Sequence, residues 1–209
     1  MHIVLTDALA CPRCGPEFGL IVLADSLQDR RIVEGSLGCA NCREAYPVRG
    51  GVPDLRGRGE AAPELPLARG GEPERALRIA ALLGVGAAPG LVLLVGAAPE
   101  LMAEISALLP ETRVVGASAS PAPEGLSAGL DWLRVGGRLP LRNGALRGIA
   151  FPAGLSGWSA DEIRRVLARD ARVVVEDAGP RAAERLRGAG LDLLLEQDGI
   201  AVASNSAPR

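Results

Sequence analysis

Lysine is absent from all 209 residues, so each of the 23 basic side chains is an arginine. That removes a lysine Schiff base, a lysine general base and the lysine of a phosphate-binding P-loop. Histidine is almost absent too, with only His2. Imidazole acid/base chemistry and a Ser-His-Asp triad are therefore not expected, and neither Ser156 nor Ser159 has a histidine to activate it. Aromatic residues make up 2% of the chain, too few to stack single-stranded nucleic acid. The formal charge of −2 speaks against a generally basic nucleic-acid binder. No long apolar run exists: Leu91 to Ala98 is far too short to cross a bilayer. Met1 to Ala10 lacks the basic start of a signal peptide and carries Asp7. The expectation is a cytoplasmic protein with no membrane segment.

What is present is a globular composition, 48% hydrophobic and 23% charged, with a change of rhythm along the chain. Up to Leu55 the pattern is short strands and turns, with strands expected at Phe18–Leu23 and Arg31–Leu37. Gly57 to Gly71 is rich in Gly, Pro, Arg and Glu and reads as a linker. From Glu72 onward helices alternate with strands. Helices are expected at Glu72–Leu83, Pro99–Leu109, Ser159–Ala168 and Pro180–Gly188. Strands are expected at Leu91–Val95, Arg113–Gly116, Ala145–Phe151, Ala171–Val175, Leu191–Glu196 and Ile200–Ser204. Ser159 and Glu162 have the spacing of a capping box. This alternation predicts an α/β fold with a mostly parallel sheet. The implied domains are residues 1–56, a linker at 57–71, and 72–209. Residues 117–144 are poorly patterned.

All four cysteines fall in the first part. Cys11-Pro12-Arg13-Cys14 is separated by 24 residues from Cys39-Ala40-Asn41-Cys42. Two such pairs are expected to form a tetrahedral zinc site, in preference to disulfides or a redox pair, because two intervening residues let both thiolates of a pair face one ion. Gly15 and Gly38 are expected to help the chain fold back beside each turn. Four thiolates leave no open coordination position, so the zinc is expected to be structural. In finger peptides such sites supply ~10–16 kcal/mol. Changing Cys39 to Ser is expected to unfold residues 1–55 and spare the rest.

The four cysteines, with Tyr46-Pro47-Val48 and Gly51-Val52-Pro53-Asp54-Leu55, resemble the zinc-ribbon methyltransferase-activator family. That resemblance covers about a quarter of the chain. It implies a subunit that stabilises tRNA, rRNA or protein methyltransferases through apolar surface and strand addition. Here the partner is either another protein or, by preference, the rest of the same chain, with RNA met only indirectly.

The larger part is similar to class I S-adenosylmethionine-dependent methyltransferases. Leu93-Leu94-Val95-Gly96-Ala97-Ala98-Pro99-Glu100 stands at that family's strand and glycine loop. Val114 to Ser120 stands at its second strand, and Leu139-Pro140-Leu141-Arg142-Asn143-Gly144 resembles its Leu-Pro-Phe-x-x-Gly segment. The resemblance implies a Rossmann-like sheet with cofactor-contacting positions at Gly96, Ala97, Ala98 and Ser118. It also shows departures. Of the loop glycines only Gly96 survives, and Ala98 adds a β-carbon where the ligand would lie. Leu94 stands in place of an acid before the loop. Ser118 replaces the acid that grips the ribose hydroxyls.

Three functions follow as expectations. The first is a non-catalytic scaffold or regulator with no catalytic residue, structural zinc and a decayed S-adenosylmethionine pocket. The alternative is an active methyltransferase on tRNA, rRNA or protein. The third is a sheet that binds another small ligand at the same edge. Glu176 and Asp177, at a strand's carboxyl end, are either an acid/base pair or a solvated loop. Arg134, Arg138, Arg142 and Arg147 either meet phosphate or are solvated charge. Trp132 and Trp158 either wall a ligand or pack in a core.

Overall fold

The computed structural model describes residues 1–57, 67–68, 72–86, 89–127, 129–155 and 157–206. Most of the expected linker, and Ser156, lie outside the described residues. A 3₁₀ turn over Ile3–Asp7 opens the chain. Four antiparallel-linked strands follow: β1 (Ile21–Gln28), β2 (Arg31–Gly38), β3 (Ala45–Arg49) and β4 (Val52–Leu55). The second part contains α1 (Pro73–Leu83), β5 (Gly90–Val95), α2 (Pro99–Leu108), β6 (Thr112–Ser118), β7 (Asp131–Val135) and β8 (Leu146–Phe151). It continues with α3 (Ala160–Val166), β9 (Leu167–Val175), α4 (Ala182–Gly188), β10 (Asp192–Gln197) and β11 (Ile200–Ser204).

All eleven strands form one sheet in the order β1-β2-β3-β4-β7-β6-β5-β8-β9-β11-β10. The central run β7-β6-β5-β8-β9 is parallel, and β11 and β10 close it antiparallel. The α/β expectation therefore holds. The join between the two parts is a parallel pairing of β4 with β7, Asp54 opposite Arg134 and Leu55 opposite Val135.

Buried apolar runs explain the central strands. In β5, Val92 and Leu94 face one side and Leu91, Leu93 and Val95 the other, and all are buried, as a parallel sheet covered on both faces requires. One face packs on α1 and α2 through Ile79, Leu83, Leu101, Met102 and Ile105. The opposite face belongs to a single cluster that holds Ile163 of α3, Leu186 of α4, and Leu5, Leu9, Leu37 and Leu55 of the N-terminal part.

The N-terminal part fills a place that helices fill in most parallel sheets. A parallel crossover normally carries a helix. The β7–β8 connection, residues 136–145, has none, and none occurs among the described residues of 119–130. Instead the 136–145 loop pairs with residues 8–10. Leu9 bridges Leu141, Ala10 donates its N–H to Pro140 O at 2.9 Å, and Arg142 donates its N–H to Ala8 O at 2.9 Å. Asp131, at the start of β7, adds a charged tie. Its wholly buried carboxylate accepts from Arg31 at 2.6 Å, from the His2 N–H at 2.9 Å and from Arg113 at 3.3 Å.

Several local expectations are corrected. Ser159 precedes α3 but makes no side-chain cap, and Glu162 is bound elsewhere: to Arg165 at 2.8 Å and to the Leu139 N–H at 3.2 Å. The strand expected at Phe18–Leu23 is Ile21–Gln28, held by its pairing with β2. α3 ends at Val166, where β9 begins. The poorly patterned stretch contains β7.

Candidate metal centre and sheet edge

The two cysteine pairs sit on two similar turns. In each, the residue after the second cysteine takes a left-handed conformation: Gly15 at φ 96° and Arg43 at φ 61°. Each turn is closed by a backbone bond back to its first cysteine, Gly15 N–H to Cys11 O and Arg43 N–H to Cys39 O, both 2.9 Å. Gly15 therefore does what was expected of it. Gly38 does not: it ends β2, and Arg43 makes the second reversal.

These turns bring all four sulfurs within 4.8 Å of one another, with no disulfide. Cys11 and Cys42 stand 3.7 Å apart and Cys14 and Cys39 3.8 Å. Zinc about 2.3 Å from each of four sulfurs sets them about 3.8 Å apart, so the donor set fits that ion. Neighbouring donors point at the sulfurs: the Asn41 amide at Cys14 (3.3 Å), the Cys14 N–H at Cys11 (3.4 Å) and the Tyr46 hydroxyl beside Cys11 (3.4 Å). Such outer contacts orient ligands and spread thiolate charge.

The second place of interest is the carboxyl edge of the parallel sheet, where open α/β folds put ligands. Gly96 follows β5 with φ 75°, the one loop position that keeps a glycine's freedom. Ala97 and Ala98 are buried. The backbone groups of Gly96 and Ala98 in this loop are engaged. Gly96 N–H donates to Ala117 O at 2.9 Å, Gly96 O accepts from Ala68 N–H at 2.7 Å, and Ala98 N–H donates to Ala68 O at 2.8 Å. Ser118, at the end of β6, is also buried, and its hydroxyl oxygen accepts from the Ser120 N–H at 3.0 Å. Thus Gly96, Ala97, Ala98 and Ser118 lie at the ends of the neighbouring strands β5 and β6, and Gly96, Ala98 and Ser118 are bonded to their own chain.

Farther along the edge, Glu176 follows β9. It is buried, which corrects the solvated-loop alternative. Its carboxylate meets Arg75 at 2.8 Å and Arg78 at 2.7 Å, both from α1, and Arg75 also donates to Pro152 O at 2.9 Å. Asp177 is exposed. The pair is therefore divided, one carboxylate neutralised and one solvated. Sequence reasoning missed Arg75 and Arg78, whose only signal was a basic pair one helical turn apart.

The four arginines singled out earlier do not form one cluster. Arg134 bonds Asp54 at 3.0 Å, Arg147 packs over Gly90, Arg138 borders a cleft beside the cysteine turns, and Arg142 borders another beside Asp7. Trp132 and Trp158 are both core residues. Arg56 grips Asp54 and holds its carboxyl below the usual range, overcoming burial. Burial pushes the Glu162 carboxyl up, but Arg165 outweighs it and the net shift is downward.

Comparison with known proteins agrees with both halves of this description. Residues 4–51 match the Trm112p-like protein family. No curated protein sequence matches the chain. Among solved structures, a Methanococcus maripaludis protein assigned to the S-adenosyl-L-methionine-dependent methyltransferases is similar with TM-score 0.51. It is 12% identical over 66% of this chain and 86% of that one. Geranyl diphosphate C-methyltransferase of Streptomyces coelicolor, solved with S-adenosyl-L-homocysteine, gives TM-score 0.54 at 11% identity, over 63% of this chain and 78% of that one. The [4+2]-cyclase SpnF gives TM-score 0.52 at 18% identity, over 61% of this chain and 60% of that one. At such identities the likeness is one of fold. The chain joins a Trm112p-like, four-cysteine segment to a class I methyltransferase-like sheet.

Proposed function

We propose that the chain is a non-catalytic scaffold or regulator, in which a zinc-held ribbon completes a methyltransferase-like sheet. We take residues 1–56 as the ribbon, 57–71 as a linker and 72–209 as the sheet domain. Cys11, Cys14, Cys39 and Cys42 would hold the ion, which supplies folding energy and no open position for chemistry. Reduced thiols of this kind suit the cytoplasm, and no described helix is long and apolar enough to cross a membrane. The ribbon's natural partner surface is engaged within the chain, through β4 on β7. Any further partner, such as a methyltransferase, meets the assembled whole.

The observation that carries this reading is Ser118. The family resemblance calls for a carboxylate there to hold two ribose hydroxyls. Ser118 offers one neutral hydroxyl, already bonded to Ser120 N–H. Losing a charge-assisted bond of ~1.5–3 kcal/mol weakens binding by roughly one to two orders of magnitude. Ala98, also buried, adds bulk in place of a glycine.

Calorimetric titration of the zinc-loaded protein with S-adenosylmethionine and S-adenosylhomocysteine tests the proposal. No binding up to millimolar ligand is expected. Micromolar binding, with methyl transfer to tRNA, rRNA or protein, would establish the active enzyme instead.

A further inference from the structure

Between the ribbon and β5, two groups of described residues touch the carboxyl edge of the sheet. The first contact is Ala68. Its N–H and C=O both bond across the loop after β5, to Gly96 O at 2.7 Å and Ala98 N–H at 2.8 Å, and it forms a parallel bridge with Ala97. Leu67 beside it packs against the core on that face. The second contact is the start of α1. Arg75 and Arg78 bond Glu176 at the end of β9, and Arg75 bonds Pro152 O at the end of β8. Between them they engage the carboxyl ends of β5, β8 and β9, on both sides of the point where strand order reverses.

We infer that Leu67 and Ala68 form an autoinhibitory strap: Ala68 occupies the backbone groups through which the edge would receive a small ligand. The inference rests on the proposed non-catalytic reading and gives it a second physical cause. A ligand at the loop must replace two backbone bonds whose partners are covalently tethered nearby. A tethered competitor acts at high effective concentration, so the strap persists against a dilute ligand. The ligand excluded is one that would bond Gly96 O and Ala98 N–H, such as an adenosyl amino acid. Ser118 and Ala98 weaken the pocket, and the strap closes it independently.

Independence gives the test. Three variants of the full chain are compared with the parent. Leu67→Gly/Ala68→Pro removes the apolar anchor and the N–H donor. Ala98→Gly/Ser118→Asp restores the loop glycine and the ribose acid. The third variant carries all four changes. Zinc content and far-ultraviolet circular dichroism establish that each is folded. Hydrogen exchange at the Ala98 amide should be at least roughly tenfold faster in the Leu67→Gly/Ala68→Pro chain, because its acceptor is displaced. S-adenosylhomocysteine should bind the four-change variant at least roughly tenfold more tightly than the Ala98→Gly/Ser118→Asp variant. An unchanged exchange rate, equal affinity of those two variants, or no binding by either would overturn the strap. Binding by the parent chain would instead overturn the non-catalytic reading, so the two failures are distinguishable.

Discussion

The four-cysteine centre and the carboxyl edge of the sheet differ in how their polar groups are used. At the cysteine centre, two turns aim four sulfurs at one point, and Asn41 and Tyr46 support them from outside. At the edge, the polar groups of Gly96, Ala98, Ser118 and Glu176 end on Ala68, Ser120, Arg75 and Arg78. The comparison teaches that a fold and a site rest on different interactions. A fold survives on apolar burial, which β5 and β6 retain, whereas a site survives only while its polar groups stay unspent by the protein itself.

The sharpest way to break this comparison is to remove the metal. Because Leu5, Leu9, Leu37 and Leu55 share one core with the sheet, loss of the ribbon uncovers β5, β6 and β7. Cys39→Ser, or chelation, is therefore expected to lower the stability of the whole chain in a single transition, not of residues 1–55 alone. The scale is on the order of 10 kcal/mol, and it is read by zinc content and by thermal unfolding followed with two probes. Two separate transitions would show that the halves are independent. A smaller effect is expected from Asp131→Ala. It leaves Arg31, Arg113 and the His2 N–H without their buried acceptor, at a cost of about 3 kcal/mol, measured as a shift in denaturant midpoint at constant slope. The smallest concerns acid. Asp54 binds both Arg56 and Arg134 across the β4–β7 join, and its folded carboxyl lies below the usual range. Its contribution is present above about pH 4 and is lost as pH falls through the lowered folded value. Asp54→Asn should flatten that part of the stability curve by at most about 1 kcal/mol.

The sequence made some of this legible and concealed the rest for physical reasons. The metal centre was readable because its ligands lie in two local pairs, so spacing alone constrains the geometry. β5 and β11 were readable because strands buried on both faces are nearly continuously apolar. β7 was hidden because Asp131 and Arg134 interrupt its pattern. Both charges are paired inside the fold, with residues far away in sequence. β4, Val52-Pro53-Asp54-Leu55, was hidden by a proline and an acid that suggest a turn. The capping box at Ser159 was misleading because Glu162 has better partners in Arg165 and the Leu139 N–H. Closure of the edge by Ala68 could not have been read at all, since it uses only backbone atoms, which any residue but proline supplies.

The pairing of β4 with β7 also orders events during synthesis. Leu55 must wait for Val135, an interval of roughly 4–16 s at ribosomal speeds of about 5–20 residues per second. Throughout it β4 presents an unsatisfied edge, the kind of template that recruits foreign strands. All four cysteines precede that edge, Cys42 being the last. The nascent chain can thus capture its metal and hold β4 in shape before the strand it awaits has been made. An ion bound there would then act first as a timekeeper, fixing the early half until the later half arrives.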